Sequence, residues 1–148
     1  MKIRVIAVLV IVLTNLSVLI FINRLTLSVP EDLPAVYANA NEITQVVLNL
    51  ITNANNHTEG GEIAIGLRAE GGELMLTVSD TGTGILPEFL PRVFERGVTD
   101  GGGAGIGLNI CRQIIEAHGG EVGIENNPAG GTTVWFTLPT MQEGESGE

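Results

Sequence analysis

Lysine is almost missing from this sequence: Lys2 is the only one in 148 residues. Acidic residues are absent before Arg24, and all 17 follow it. From Leu25 onward four arginines face those 17 acids, a formal charge of −13. A surface of that sign repels a phosphodiester backbone, which argues against DNA or RNA as a partner. Cysteine occurs once, at Cys111, so no intramolecular disulfide can form. Its place in an apolar helical pattern predicts a buried thiol. Aromatic residues make up 4% of the chain, so the core has to be aliphatic.

Aliphatic residues and glycines, 20 of the latter, fill the space instead, a globular composition sized for one domain with a short appendage. Three zones follow one another. In Met1–Arg24, Val5–Ile22 is broken only by Thr14, Asn15 and Ser17. As a helix it would measure about 27 Å at roughly 1.5 Å per residue, enough to cross a bilayer. Two readings stay open: a membrane anchor through residues 3–22, or a buried structural element, for which the β-branched run Val5–Val12 suits a strand. The last zone, residues 141–148, is a polar, acidic tail.

The middle zone, residues 25–140, alternates strands and helices. Leu25–Val29 has the period of a half-buried strand, closed by Pro30. Asn39 offers a helix N-cap, with Glu42 as its reciprocal partner. Ile43, Val46, Val47, Leu50, Ile51 and Ala54 then form one apolar stripe, and Gly60-Gly61 stops the helix. Strands are predicted over Glu62–Arg68 and Leu74–Ser79, joined by the turn Glu70-Gly71-Gly72-Glu73. A second amphipathic helix is predicted over Ile106–His118 and ends at Gly119-Gly120. Two closing strands, Glu121–Glu125 and Thr132–Leu138, flank a turn at Asn126–Gly131.

Three features carry chemistry. On the polar side of the first helix, Asn49 and Asn53 are four apart and project side by side, and Asn56 and His57 continue the row. The asparagine amide oxygens can complete a magnesium shell supplied mainly by phosphate and water, or the row can be a solvated polar face. Asp80-Thr81-Gly82-Thr83-Gly84-Ile85 places a carboxylate at a strand end, followed by glycines that let the backbone approach a flat ring. Gly101-Gly102-Gly103-Ala104-Gly105-Ile106-Gly107-Leu108 runs into a helix, and its amides suit an anion. The spacing does not give the dinucleotide fingerprint, and no lysine is available for a GK[ST] phosphate loop.

In this order the motifs resemble the catalytic ATP-binding domain of bacterial sensor histidine kinases, in the superfamily shared with gyrase, Hsp90 and MutL. Asn49–Thr58 looks like the N box, Asp80–Ile85 the G1 box, Val93–Gly97 the F box and Gly103–Leu108 the G2 box. The ending from His118 through Pro139 is similar too, so the resemblance covers about Leu25–Pro139. It implies an α/β two-layer sandwich of the Bergerat type, with a mixed sheet and helices on one face. It also implies ATP and Mg²⁺ as cofactors. Asn53 would ligate the metal, with Asn49 beside it and Asn56 and His57 near the nucleotide. Asp80 would accept from the adenine amine, Gly82, Gly84 and Ile85 would shape the base pocket, and Phe94 would pack at the lid. Gly103, Gly105 and Gly107 would cradle phosphates, with Ile106 and Leu108 among the nucleotide-binding residues, and Thr133 would support the adenine end behind Asp80.

Asn49 stands where the ATP hydrolases of the superfamily have a glutamate, and an amide cannot act as a general base. The expected reaction is therefore phosphoryl transfer to a protein histidine. Neither His57 nor His118 resembles the acceptor, so that histidine has to lie on a separate chain, with a response regulator downstream. Asn56 replaces a usual basic residue, and Thr99-Asp100-Gly101 makes a short lid. Those departures motivate two alternatives, an inactive nucleotide- or partner-binding module and an anti-sigma-type serine kinase. The expected location is the bacterial inner membrane with the ATP-binding domain cytoplasmic if residues 1–24 are an anchor, and the cytoplasm otherwise.

Overall fold

The structure, a computed structural model, describes residues 1–16, 23–95 and 106–141. Its elements in chain order are β1 (Lys2–Ile3), α1 (Val5–Leu16), β2 (Arg24–Ser28), β3 (Val36–Tyr37), α2 (Ala40–Asn56), β4 (Glu62–Glu70) and β5 (Glu73–Asp80). A short 3-10 turn at Leu90–Arg92, then α3 (Ile106–Ala117), β6 (Val122–Asn126) and β7 (Thr132–Pro139) complete the fold. The last seven residues of the acidic tail fall outside the described residues.

Five strands form one sheet in the order β2-β4-β5-β7-β6. β2 runs parallel to β4, while every other neighbour is antiparallel, so the sheet is mixed. Strand alternation decides its inner face. Ile63, Ile65 and Leu67 of β4, Leu74, Leu76 and Val78 of β5, and Val134, Phe136 and Leu138 of β7 are all buried in one core. Their in-between neighbours, such as Thr77 and Trp135, are less covered and form the outer face. The result is a two-layer α/β sandwich with helices on one face. Its core is aliphatic apart from Phe136 among the largest fully buried side chains.

The stripe read from α2 is the buried one: Ile43, Val46, Val47, Leu50, Ile51 and Ala54 lie inside. Five of these are large aliphatic side chains, each worth roughly 1.5–3 kcal/mol on burial, so α2 is fixed to the sheet far more firmly than helix propensity alone would fix it. Asn39 caps it, its Oδ1 accepting from Glu42 N–H at 3.0 Å. The reciprocal half differs from the capping-box expectation. Asn39 N–H donates to His118 Nε2 at 3.1 Å, and His118 Nδ1 lies 2.7 Å from Ile114 O. Through these two contacts the ring joins the start of α2 to the end of α3.

The opening segment is helical over Val5–Leu16 rather than a strand over Val5–Val12. Val5, Val8, Leu9 and Val12 recur at helical spacing and are buried in the same core as α2 and the sheet. β1 pairs with β3, which ties the chain start to the segment entering α2. Among the described residues no helix is long and apolar enough to cross a membrane. Residues 17–22 of the hydrophobic run lie outside the described residues. Just beyond them, buried Asn23 donates to Asn55 Oδ1 at 2.8 Å and Thr58 O at 2.9 Å, and accepts from Gly61 N–H at 3.0 Å.

Candidate nucleotide site

Asp80 ends β5 at the register position of Ile63, where the strand leaves the sheet. Its side chain is almost fully buried. One carboxylate oxygen, Oδ1, accepts from Gly82 N–H at 2.9 Å and from Thr132 N–H at 3.2 Å. The other makes no hydrogen bond to a described residue, so two amides fix the group's orientation and leave one acceptor for a ligand donor.

The turn after Asp80 is locked to the end of α2. Thr83 N–H donates to His57 O at 3.2 Å, and a Cβ at Gly82 would overlap that same carbonyl oxygen. Gly82 is thus required by backbone approach. Gly84 adopts φ +74°, in the left-handed region, with Asn126 Oδ1 directly against it. Next to it, Ile85 N–H donates to Asn126 Oδ1 at 2.8 Å while Asn126 Nδ2 donates to Ile85 O at 2.7 Å.

Asn127 holds the other side. Its Nδ2 donates to Ser79 Oγ at 3.1 Å and Asp80 O at 3.2 Å, and its Oδ1 accepts from Thr133 Oγ1 at 2.6 Å. Thr133, expected to support the adenine end behind Asp80, makes no hydrogen bond to its carboxylate. Thr133 bonds Ser79 and Asn127, and the residue on Asp80 is Thr132. The Thr132 contact is made by its backbone N–H and does not depend on which side chain stands there.

The polar face of α2 borders the start of α3. The Cys111 thiol donates to Val46 O at 3.8 Å, and a Cβ at Gly107 would lie 3.9 Å from Asn49 Cγ. Asn53 makes no side-chain hydrogen bond to a described residue, so its amide oxygen is available to a ligand. Asn56 is exposed, His57 is half-buried, and Leu108 packs on the core. Phe94 O accepts from Asn109 Nδ2 at 3.0 Å, which ties the F box to α3. Ile106 opens α3. Gly103, Gly105, the end of the F box and the short lid lie outside the described residues.

Burial raises the Cys111 pKa to about 11, with the Asn49 contact a smaller, opposing influence. It is a buried, protonated thiol at neutral pH and so packs rather than reacts. Among the described residues no group of three His, Cys, Asp or Glu could hold a metal. The side-chain amide oxygens of Asn49 and Asn53 are donors of the kind that suits a magnesium ion arriving with its phosphates. The Asp80 acceptor likewise fits an exocyclic amine. Thr58 Oγ1 is the buried side-chain polar atom without a partner among the described residues, and it faces Gly82.

The family model for the histidine kinase-, DNA gyrase B- and HSP90-like ATPases matches residues 38–142. The chain belongs to this family. Adaptive-response sensory kinase SasA of Trichormus variabilis is 43% identical over 118 residues, covering 75% of this chain and 29% of its own length. The chain thus spans under a third of that curated relative. A mycobacterial sensor histidine kinase, MprB, superposes with a TM-score of 0.86 at 26% identity, covering 97% of this chain and 99% of that one. Full-length ShkA, solved in complex with AMPPNP, gives 0.86 at 29% identity, covering 97% of this chain and 31% of that one. The fold is that of a histidine-kinase catalytic ATP-binding domain.

The sequence reading singled out Asp80 and its glycines but passed over Asn126, Asn127, Thr132 and Asn109. Adjacent asparagines at Asn126-Asn127 were a usable signal, because turn asparagines commonly bond backbone. Their partners, about forty or more residues away, left no trace in local sequence.

Proposed function

We propose that this domain binds Mg–ATP and transfers the γ-phosphate to a histidine carried on a separate chain, upstream of a response regulator. The observation that carries the reading is the Asp80 carboxylate, held by Gly82 and Thr132 with one oxygen open to an adenine amine. Asn53 would hold the metal with Asn49 at its side, and Gly103, Gly105 and Gly107 would bind the phosphates. When bound, magnesium neutralises charge on the transferring phosphoryl group. Asn49 positions the polyphosphate end and cannot take a proton from water, so this face of α2 favours transfer over hydrolysis.

The test mixes the chain with Mg–ATP and a histidine-bearing helical hairpin from a related kinase. Acid-labile, base-stable phosphate on the hairpin, lost with Asn53→Ala, is the expected result. Free phosphate without hairpin labelling would overturn transfer, and phosphoserine would select the serine-kinase reading. The exposed, uncharged Asn56 favours a second reading, a module that binds nucleotide without turnover. It predicts saturable Mg–ATP binding with no labelled product.

We also propose that the working domain includes β1 and α1 rather than starting at residue 25. The shared core of α1 and α2 supports this, as does the packing of Asn23 against Asn55, Thr58 and Gly61. The requirement for ATP puts the domain in the cytoplasm.

A further inference from the structure

We infer that Asn126 is a positioning residue of the nucleotide site, fixing the backbone of Gly84 and Ile85 as one wall of the base pocket. This rests on the nucleotide reading above and adds to it a residue from the opposite end of the chain. The Asn126 carboxamide matches both polar groups of one peptide residue: it accepts from Ile85 N–H at 2.8 Å and donates to Ile85 O at 2.7 Å. Such paired contact fixes orientation as well as distance, as a strand neighbour would. No strand is available to do this, because β5 ends at Asp80.

Three further facts place the clamp at the pocket. Gly84 lies directly against Asn126 Oδ1, and its φ of +74° is a conformation that the clamp holds in place. Thr132 Oγ1 lies 3.5 Å from the same oxygen, while Thr132 N–H is on Asp80 Oδ1. The next residue, Asn127, grips Asp80 O and Ser79. The β6–β7 turn therefore holds both ends of the Asp80–Ile85 segment, Asn127 at the carboxylate and Asn126 at the far side. A base stacked in that segment would meet a wall already set, and the ordering cost would not be charged to binding.

The chemistry makes Asn126 replaceable by only one common side chain, and then only in one protonation state. A neutral carboxylic acid keeps an acceptor and a donor in the same places. A carboxylate keeps the acceptor but sets a negative oxygen against Ile85 O.

The experiment measures ADP and Mg–ATP affinity calorimetrically for wild type, Asn126→Ala and Asn126→Asp, with thermal melting to establish folding. Asn126→Ala should weaken both nucleotides about tenfold, or ~1.4 kcal/mol, by the same factor because the loss is at the base end. Asn126→Asp should bind weakly at pH 8 and regain affinity as pH falls from about 6 towards about 4, where an aspartate takes up its proton, measured as a ratio to wild type at each pH. That recovery is one that simple loss of packing would not produce. Unchanged affinity in a folded Asn126→Ala, or a weak Asn126→Asp whose ratio ignores pH, would overturn the inference and leave the nucleotide reading intact. Absence of binding by the folded wild type would overturn the nucleotide reading itself, and this inference with it.

Discussion

Replacing Asp80 by asparagine changes one atom and no shape, yet the surroundings decide which atom changes. Oδ1 accepts two backbone N–H groups, from Gly82 and Thr132. An amide nitrogen placed there would oppose two donors, so the side chain must keep its oxygen at that position and turn its NH₂ toward the open side. The pocket then presents a donor where it presented an acceptor. For ATP the charge-assisted hydrogen bond is lost and two donors face each other, together about 3 kcal/mol or roughly a hundredfold in affinity. Inosine triphosphate carries a carbonyl where adenine carries its amine. It should bind wild type poorly and Asp80→Asn better than ATP does. Stability should move by only about 1 kcal/mol, since both amides keep a partner and a buried charge is removed. Calorimetric titration of both nucleotides into both proteins, with melting curves alongside, reads all of this. An Asp80→Asn protein that binds ATP like wild type, or that shows no reversal of preference, would refute the assigned role of the carboxylate.

Gly82→Ala should lower stability by about 2–3 kcal/mol, because the new methyl overlaps His57 O and must separate α2 from the turn; chemical denaturation measures it. His118→Ala should cost about 1–2 kcal/mol by leaving Asn39 N–H without its partner, while His118→Gln, which can still accept, should recover part of that. Cys111 sets an alkaline limit. Its pKa is raised to about 11 in the fold, against 9.0 for the free thiol. Its contribution is complete below pH 9 and is lost as pH rises to about 11, since the unfolded chain releases the proton first. The whole effect is about 3 kcal/mol at ~1.4 kcal/mol per pH unit. Denaturation midpoints at pH 8 to 11 should therefore fall more steeply in wild type than in Cys111→Ala; equal slopes would contradict the assignment.

Much of the architecture was legible in the sequence because its signals are local. The α2 stripe, the Asn39 cap and the glycine turn between β4 and β5 each declare themselves within a few residues. The sheet strands fell within two residues of their observed ends. The opening segment misled for a physical reason: Val5–Leu16 is so uniformly apolar that neither period nor face stands out, and Val10 and Ile11 stay exposed on its outer side. β1 and β3, two residues each, were too short to show any periodicity. In the site, the motif residues could be found, but not their supports. Asn126 meets Ile85 across 41 residues, His118 meets Asn39 across 79, and Thr132 meets Asp80 across 52. The contact from β7 to the Asp80 carboxylate is made by the Thr132 backbone N–H, which no side-chain motif could mark.

The two ends of the site are built differently, and that difference orders the effects of mutation. The Asp80 end is closed by backbone: Gly82, Thr83, Ile85 and Thr132 all take part through N–H groups, on a strand terminus fixed by the sheet. The Asn49–Asn53 end depends on side chains of one helix face, with the Asn53 side chain making no hydrogen bond to a described residue. Binding of a purine should therefore persist in variants that have lost phosphoryl transfer. Asn53→Ala is the sharpest case. Its ADP affinity in the absence of magnesium should stay within about twofold of wild type, because Asn53 supports nothing in the fold, while the added affinity that magnesium confers on ATP should disappear. If the same variant lost magnesium-free ADP binding in a folded protein, the base end would depend on α2 side chains, and the division between the two ends would be wrong.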